Sequence, residues 1–266
     1  MPELPEVERG RRIAERALLD RCITHVTTAD DRIVYAGVTP RRFAAALRGR
    51  RVRGVHRRGK ILWFELDRRP WPTFHFGMTG SFRVYRHERD RPPYTKCELL
   101  TDDGTRLAMP NPRRLGRIRL LHDPESEPPI CHLGFDPLLD LPTLAVFSQL
   151  LARRKAPVKA VLLDQSFAAG IGNWIADEVL YQARIAPHRR ACDLSGDEIR
   201  RIRTRLAAIV RRAVQVDADK RRFPRSWLFH RRWGRKADVV TATGQHPITH
   251  DTIGGRTTAW VPAVQR

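Results

Sequence analysis

Residue types that do chemistry are few in this chain, and the most informative stand at its start. Pro2 follows Met1, and a small second residue generally allows that methionine to be removed. The product begins with a secondary amine. Such an amine can attack an electrophilic sugar carbon and form a Schiff base, the covalent strategy otherwise used by lysine. An α-amino group titrates near ~7.7–8.0, far below lysine, so part of it is free base at neutral pH. A helix amino end beside it disfavours the ammonium form and lowers that pKa further. Glu3, the next residue, can donate or accept a proton.

Thiols and metal ligands point elsewhere. Cys22, Cys97, Cys131 and Cys192 are separated by 75, 34 and 61 residues, with no C-x-x-C pair. That spacing offers neither a cysteine zinc site nor a dithiol redox motif, and it reads as small buried hydrophobes in a reducing compartment. His246 and His250 lie four apart with Pro247 between them. Two ligands on a proline-interrupted segment fall short of the usual four, so no metal is expected.

Charge gives the partner class. Among 266 residues, 50 Lys and Arg face 29 acids, a net +21, while 41% hydrophobic residues suffice for real cores. No apolar run approaches the ~18 residues of a membrane span. The start, Met-Pro-Glu-Leu-Pro-Glu-Val-Glu, is not a secretory signal, so the expectation is a soluble intracellular protein without a membrane partner. From Arg200 to Lys236 there are 14 basic residues against Asp217 and Asp219, and Phe223, Trp227, Phe229 and Trp233 are interleaved with them. This points to an anionic polymer, although charge does not separate DNA from RNA or a binder from an enzyme.

The elements that must position these groups follow from periodicity. Residues 5 to about 19 read as a helix with Pro5 in its first turn. Strands are expected at 23–28, 52–56, 61–66, 73–76, 81–85, 94–101, 105–109 and 117–121, with a short helix near 41–47. Many short strands between Gly and Pro signals suggest a sandwich or a barrel. Residues 123–142 carry five prolines and read as a linker or hinge. Helices follow at about 143–153, 158–163, 173–183 and 195–215. The last opens on the capping box Ser195-Gly-Asp-Glu198 and carries an apolar stripe from Ile199 to Ala213, leaving its arginines mostly outside. The last thirty residues return to short strands around a Gly254-Gly255 turn.

Taken together, Pro2-Glu3-Leu4-Pro5-Glu6-Val7-Glu8 resembles the amino terminus of the Fpg/Nei family of DNA glycosylases. The resemblance continues along nearly the whole chain. It implies that Pro2 is the nucleophile, that Glu3 is the general acid/base, and that Glu6 supports them. Gly59-Lys60-Ile61-Leu62 looks like the family's strand-borne lysine motif, so Lys60 is expected at phosphate. His75-Phe76-Gly77-Met78-Thr79-Gly80 matches the segment that supplies a phosphate-contacting histidine, His75, and an intercalating methionine, Met78. In Asn111-Pro112-Arg113-Arg114-Leu115-Gly116, Arg113 would bond the orphaned opposite base and Leu115 would press into the stack, where many relatives carry phenylalanine. Lys159 to Gln165, then Ile171 to Glu178, resembles the family's helix–two-turn–helix, which makes Lys159, Gly172 and Asn173 expected DNA contacts. The same motif occurs in a ribosomal protein and a topoisomerase subunit.

Many family members end in a four-cysteine zinc finger, yet no cysteine follows Cys192. Gly254 to Pro262 instead resembles the hairpin of the zincless plant and fungal members, whose turn arginine, here Arg256, reaches the phosphate of the flipped nucleotide. The resemblance therefore implies an α+β fold. Its amino-terminal part would be a two-sheet β-sandwich flanked by helices (1–125), followed by a hinge (126–142). A helical helix–two-turn–helix domain (143–219) and a zincless β-hairpin finger (220–266) would complete it. It implies a monomeric bifunctional DNA glycosylase/AP lyase of base excision repair that binds damaged double-stranded DNA across a basic groove. Removal of oxidised bases through a Schiff base at Pro2 and β,δ-elimination would need no cofactor and no zinc. Only about nine residues, 215 to 223, separate the long helix from the Phe-Pro-x-Ser-Trp segment, whereas zinc-bearing relatives cap flipped 8-oxoguanine with a longer loop. Formamidopyrimidines, hydantoins and abasic sites are thus expected to be better substrates than 8-oxoguanine. A non-catalytic relative that binds damaged DNA, or an RNA-binding protein sharing only the helical motif, would show the same charge.

Overall fold

Pro5 in the first turn and buried Leu4, Val7, Ala14, Ala17 and Leu18 on one face build α1 (Leu4–Leu18). The computed structural model describes residues 2–233 and 246–266, so Met1, Arg235 and Lys236 of the sequence reading lie outside the described residues. The chain divides into two units, Met1–His132 and Leu133–Arg266.

In the first unit, the strands form two four-stranded antiparallel sheets. One has the order β1 (Ile23–Thr28), β6 (Thr95–Thr101), β7 (Arg106–Pro110), β5 (Arg83–Tyr85). The other runs β2 (Val52–Arg58), β3 (Ile61–Leu66), β4 (Trp71–His75), β8 (Arg117–Leu121). A single core takes Val26, Leu99 and Leu107 from one sheet and Val55, Leu62, Phe64 and Phe74 from the other, so the unit is a sandwich and not a closed barrel. Phe74 sits among Phe43, Phe64 and Phe82 at ring-centroid distances of 6.3, 4.8 and 5.3 Å. Phe43 arrives on α2 (Pro40–Leu47), whose cap is Thr39 accepting from Arg42 N at 3.2 Å. The expected strand at 81–85 begins only at Arg83, because Gly80 N bonds back to Phe76 O and keeps 76–80 in a turn.

The second unit packs α3 (Leu144–Ala152), α4 (Val158–Leu163), α5 (Asn173–Ala183) and α6 (Gly196–Gln215) with a hairpin of β9 (Thr249–Ile253) and β10 (Arg256–Trp260). Ser195 and Glu198 make the expected capping box, and Ile199, Ile202, Leu206, Ile209, Val210 and Ala213 are buried. Arg200, Arg201, Arg205, Arg211 and Arg212 are exposed. The stretch read as linker is structured. Ile130 is buried in a 3-10 turn of the first unit, whereas Phe135 packs on Phe147 and Phe167 in the second. Among the described residues no helix is long and apolar enough to cross a membrane.

Candidate functional site

Pro2 is half-buried immediately ahead of α1. Glu3 is the N-cap residue, with extended backbone (φ −113°, ψ −172°), and is only 2% exposed. The Glu6 carboxylate accepts from Glu3 N at 3.0 Å, which fixes the helix entry and the chain direction at Pro2. The positive end of α1 therefore lies against the residue whose amine the sequence singles out.

Lys60 stands in the two-residue turn between β2 and β3, not within a strand as the motif suggested. Gly59 precedes it at φ +56°, a conformation a hairpin turn requires and a side chain resists. Arg57 ties this turn to α1. Its buried guanidinium donates from Nε to Glu8 Oε2 at 3.0 Å and from Nη1 to Gly59 O at 3.0 Å. Glu8 also takes Arg11 at 3.0 Å and Arg12 at 3.4 Å. One carboxylate on the helix behind Pro2 thus places the lysine-bearing turn.

His75 lies at the end of β4, paired across the ladder with Ile61, the neighbour of Lys60, and with Arg117 on β8. Its Nδ1 accepts from Gly77 N at 3.2 Å, so the ring proton is on Nε2, which is left to donate to a ligand. Burial, then the charges of Lys60, Arg119 and Arg117, push its pKa from 6.5 down to about 4. Neither Arg117 nor Arg119 makes an ion pair among the described residues, and burial beside Arg117 lowers the pKa of Arg119. Lys60, a neutral His75 and two arginines make an anion-accepting group. The two arginines carried no motif signal.

Met78 and Leu115 are apolar yet 37% and 41% exposed, on two loops whose interior is closed. Fully buried Asn111 cross-links these loops, donating from Nδ2 to Phe76 O at 3.0 Å and accepting from Gly116 N at 3.3 Å. Gly77, at φ +63°, lies so close to the Leu115 carbonyl that a Cβ would sit 2.4 Å from it. Arg113 is exposed beside them. Its neighbour Arg114 takes φ +55° and pairs through two bonds, at 2.9 and 3.1 Å, with buried Asp31. Lys96 joins at 2.9 Å. Burial opposes ionisation of Asp31, but Arg114, Lys96 and the Val34 N–H hold its carboxyl well below the usual range. The structure brings Met78, Arg113 and Leu115 onto one loop pair. The Asp31–Arg114 clamp behind them spans 83 residues and left no local trace in the sequence.

In the second unit Gly172 is the N-cap of α5 and Asn173 its first residue. Gln165 clamps the turn before them, donating to Leu163 O and Ile171 O and accepting from Gly170 N. Asn173 Nδ2 donates to Thr257 O at 2.8 Å, which joins the helix start to the hairpin that carries exposed Arg256. The expectation for Lys159 is corrected. Its side chain is wholly buried and its ammonium is paired with Asp177, so it offers no charge to a polyanion. The interleaved aromatics are likewise core. Phe223, Trp227 and Phe229 surround Trp174 at 5.5, 6.4 and 5.2 Å, and of the four only Trp233 is exposed.

Comparison with known proteins covers both units. Residues 1–118 match the formamidopyrimidine-DNA glycosylase N-terminal domain, and residues 133–224 match the formamidopyrimidine-DNA glycosylase H2TH domain. A formamidopyrimidine-DNA glycosylase of Arabidopsis thaliana is 41% identical across all of this chain and 71% of the relative. One from Geobacillus kaustophilus is 33% identical across the full length of both. Among solved structures, the MutM (Fpg) protein of Thermus thermophilus superposes with a TM-score of 0.81 at 32% identity, covering 99% of this chain and 98% of that one. Lactococcus lactis Fpg in complex with DNA containing N7-benzyl-Fapy-dG superposes at 0.87 with 24% identity, covering both chains fully, a likeness of fold.

Two outcomes follow from this geometry. Gly77→Ala combines a left-handed backbone with a clash on Leu115, so it should cost more than about 2 kcal/mol in urea unfolding. It should also speed amide exchange in 111–116; unchanged exchange there would refute the loop contact. For His75, the folded pKa lies below the unfolded one, so on acidification the unfolded chain binds the proton first. Stability should fall between pH 6.5 and about 4, and His75→Gln should flatten that fall. Equal declines in both proteins would contradict the depressed pKa.

Proposed function

Since this chain belongs to the formamidopyrimidine-DNA glycosylase family, we propose that it excises oxidised bases from DNA through the imino group of Pro2 and then cuts the backbone as an AP lyase. The observation that carries this reading is the placement of Pro2 at the positive end of α1, with Glu3 as N-cap and Glu6 fixing the turn. With Met1 removed, the α-amine loses proton affinity at that helix end and becomes a better nucleophile near neutrality.

The steps use groups of the chain and water. Pro2 nitrogen attacks C1′, the N-glycosidic bond breaks with its electron pair going to the base, and the base takes up a proton. Glu3 supplies or relays protons at the sugar. The C1′–O4′ bond then breaks with its electron pair going to O4′, which takes a proton from Glu3, and loss of the Pro2 N–H proton leaves an iminium linking Pro2 to the opened deoxyribose. Loss of the C2′ proton and departure of the 3′ phosphate is the β-elimination. A second elimination, with loss of the C4′ proton, releases the 5′ phosphate, and water hydrolyses the remaining iminium to free Pro2 and the unsaturated sugar fragment, leaving a one-nucleotide gap. Lys60 and His75, with Arg117 and Arg119 beside them, suit the phosphate oxygens where negative charge collects. Met78 and Leu115 suit the space left by an extruded nucleotide, offsetting unstacking of a few kcal/mol, with Arg113 at the orphaned base. Asn173 and the N-terminal amides of α5 suit a phosphate, and Arg256 suits that of the flipped nucleotide. The partner is damaged double-stranded DNA, met by a monomer. No metal is proposed, since residues 193–266 contain no cysteine to build a thiolate finger.

The lesion range rests on residues 216–223. Val216, Asp217 and Ala218 bond back to α6 carbonyls, and Phe223 is buried, so this segment is tied down and short for a cover over a purine. In parallel single-turnover assays, formamidopyrimidine and hydantoin excision should outrun 8-oxoguanine excision; equal rates remove this part of the reading. The covalent step is tested by borohydride. Chain verified by amino-terminal mass spectrometry to begin at Pro2 should give an adduct with abasic DNA, and Pro2→Gly should give none. An unmodified chain and uncut DNA with the trimmed protein would overturn the enzyme in favour of a damaged-DNA binder.

A further inference from the structure

A two-stranded hairpin is marginal in water by itself, and β9 and β10 contribute five residues each. Arg256 begins β10 immediately after Gly254 and Gly255, which take φ +58° and +70°. Both positive angles suit a tight two-residue turn, which fixes the arginine relative to the ladder but not relative to the rest of the unit. Something outside the hairpin has to hold it.

We propose that Asp177, with Lys159 and Arg232, is the positioning centre that holds the hairpin and thereby sets Arg256; the catalytic part rests on the reading of Arg256 given above. Asp177 on α5 is 1% exposed. Its Oδ1 accepts from the Lys159 ammonium on α4. Its Oδ2 accepts from Arg232 Nε and Nη2 at 3.1 and 2.5 Å and from Ala259 N, on β10, at 3.2 Å. His250 stands opposite Ala259 in the ladder, and its Nε2 lies 3.3 Å from the Arg232 carbonyl. Both strands are therefore held at one rung by the same cluster, three residues from Arg256.

Two further contacts align the turn. Asn173, four residues before Asp177 on α5, donates to Thr257 O. Gly254 lies against Ala160, the residue after Lys159, with the position of a Cβ only 3.2 Å from the Ala160 Cβ. Glu178 accepts from Phe229 N at 2.8 Å and so steadies the segment leading to Arg232. A buried carboxylate with two buried cations is intolerant of losing one member, since an uncompensated charge is left behind. That makes the cluster a stiff mount and explains why Lys159 faces inward. None of its three side chains is assigned a contact with DNA, so they act through Arg256.

The test uses the full chain beginning at Pro2. Asp177→Asn removes the shared acceptor charge. Arg232→Gln is the milder variant, because the Lys159–Asp177 pair stays neutral, and it carries the test if Asp177→Asn does not fold. Amide exchange should quicken at least about tenfold across 256–260 while α6 stays protected. Single-turnover excision of formamidopyrimidine should fall about tenfold, a part of the roughly 10²–10³ that one positioned charge-stabilising group supplies. Combined with Arg256→Ala, the same variants should cost less than about twofold more, because residues acting as a unit are non-additive. Unchanged exchange at 256–260, or a full tenfold loss in the Arg256→Ala background, overturns the proposal. If Arg256→Ala alone leaves excision intact, the role of Arg256 fails, and the exchange measurement still decides whether the cluster holds the hairpin.

Discussion

A carboxylate buried in a chain of net charge +21 has to be neutralised where it lies, and in this protein that constraint organises the site. Among the described residues, Glu8, Asp31, Glu98 and Asp177 are buried and each gathers at least two cations, and three of them, Glu8, Asp31 and Asp177, at 6%, 4% and 1% exposed, lie behind the candidate site. Glu8 joins α1 to the turn of Lys60. Asp31 pins the loop that presents Arg113 and Leu115. Asp177 meets both helices of the helix–two-turn–helix and a strand of the hairpin. Lys60, Met78, Arg113 and Leu115 stand on turns and loops, and Asn173 and Arg256 at the first positions of α5 and β10, and the acids behind them give those segments fixed addresses. Such pairs are weak sources of net stability but strong sources of specificity, because breaking one leaves a charge stranded.

The apolar architecture works at a different level. In the first unit the phenylalanine cluster around Phe74 joins the sheets, and Phe76, on its rim, leads directly into Gly77 and Met78. In the second, Trp174 follows Asn173 and anchors the start of α5 among Phe223, Trp227 and Phe229. In both units a candidate site residue is one or two positions from a ring locked in the core. Rigid rings limit how far the neighbouring backbone can wander, which suits residues that have to meet a ligand in one geometry.

Periodicity made most of this fold legible. The apolar stripe of α6 and the proline start of α1 appear where the pattern put them, because helical spacing decides which face is buried, and most of the strands lie between the Gly and Pro signals that bounded them. The residues flanking Pro2, His75, Met78, Arg113 and Asn173 were readable through their motifs. Long-range charge pairing was not. Arg57 and Glu8 are 49 residues apart, Arg232 and Asp177 are 55 apart, and nothing local announces either pair. Lys159 shows the error that follows. A lysine beside a helix–two-turn–helix reads as a surface cation until its acid, 18 residues on, is known to be buried with it. Interleaving with arginines says nothing about which way a ring points, and Phe223, Trp227 and Phe229 after α6 point into the core.

Residues 246–266 contain neither cysteine nor methionine, and the groups that moor them are an acid, an amine and a guanidinium. None of these three is a target for the peroxides that oxidise sulfur. Peroxide would therefore spare the mooring of the Arg256 hairpin, whereas Met78 and Cys131, both exposed, carry sulfur that it can reach.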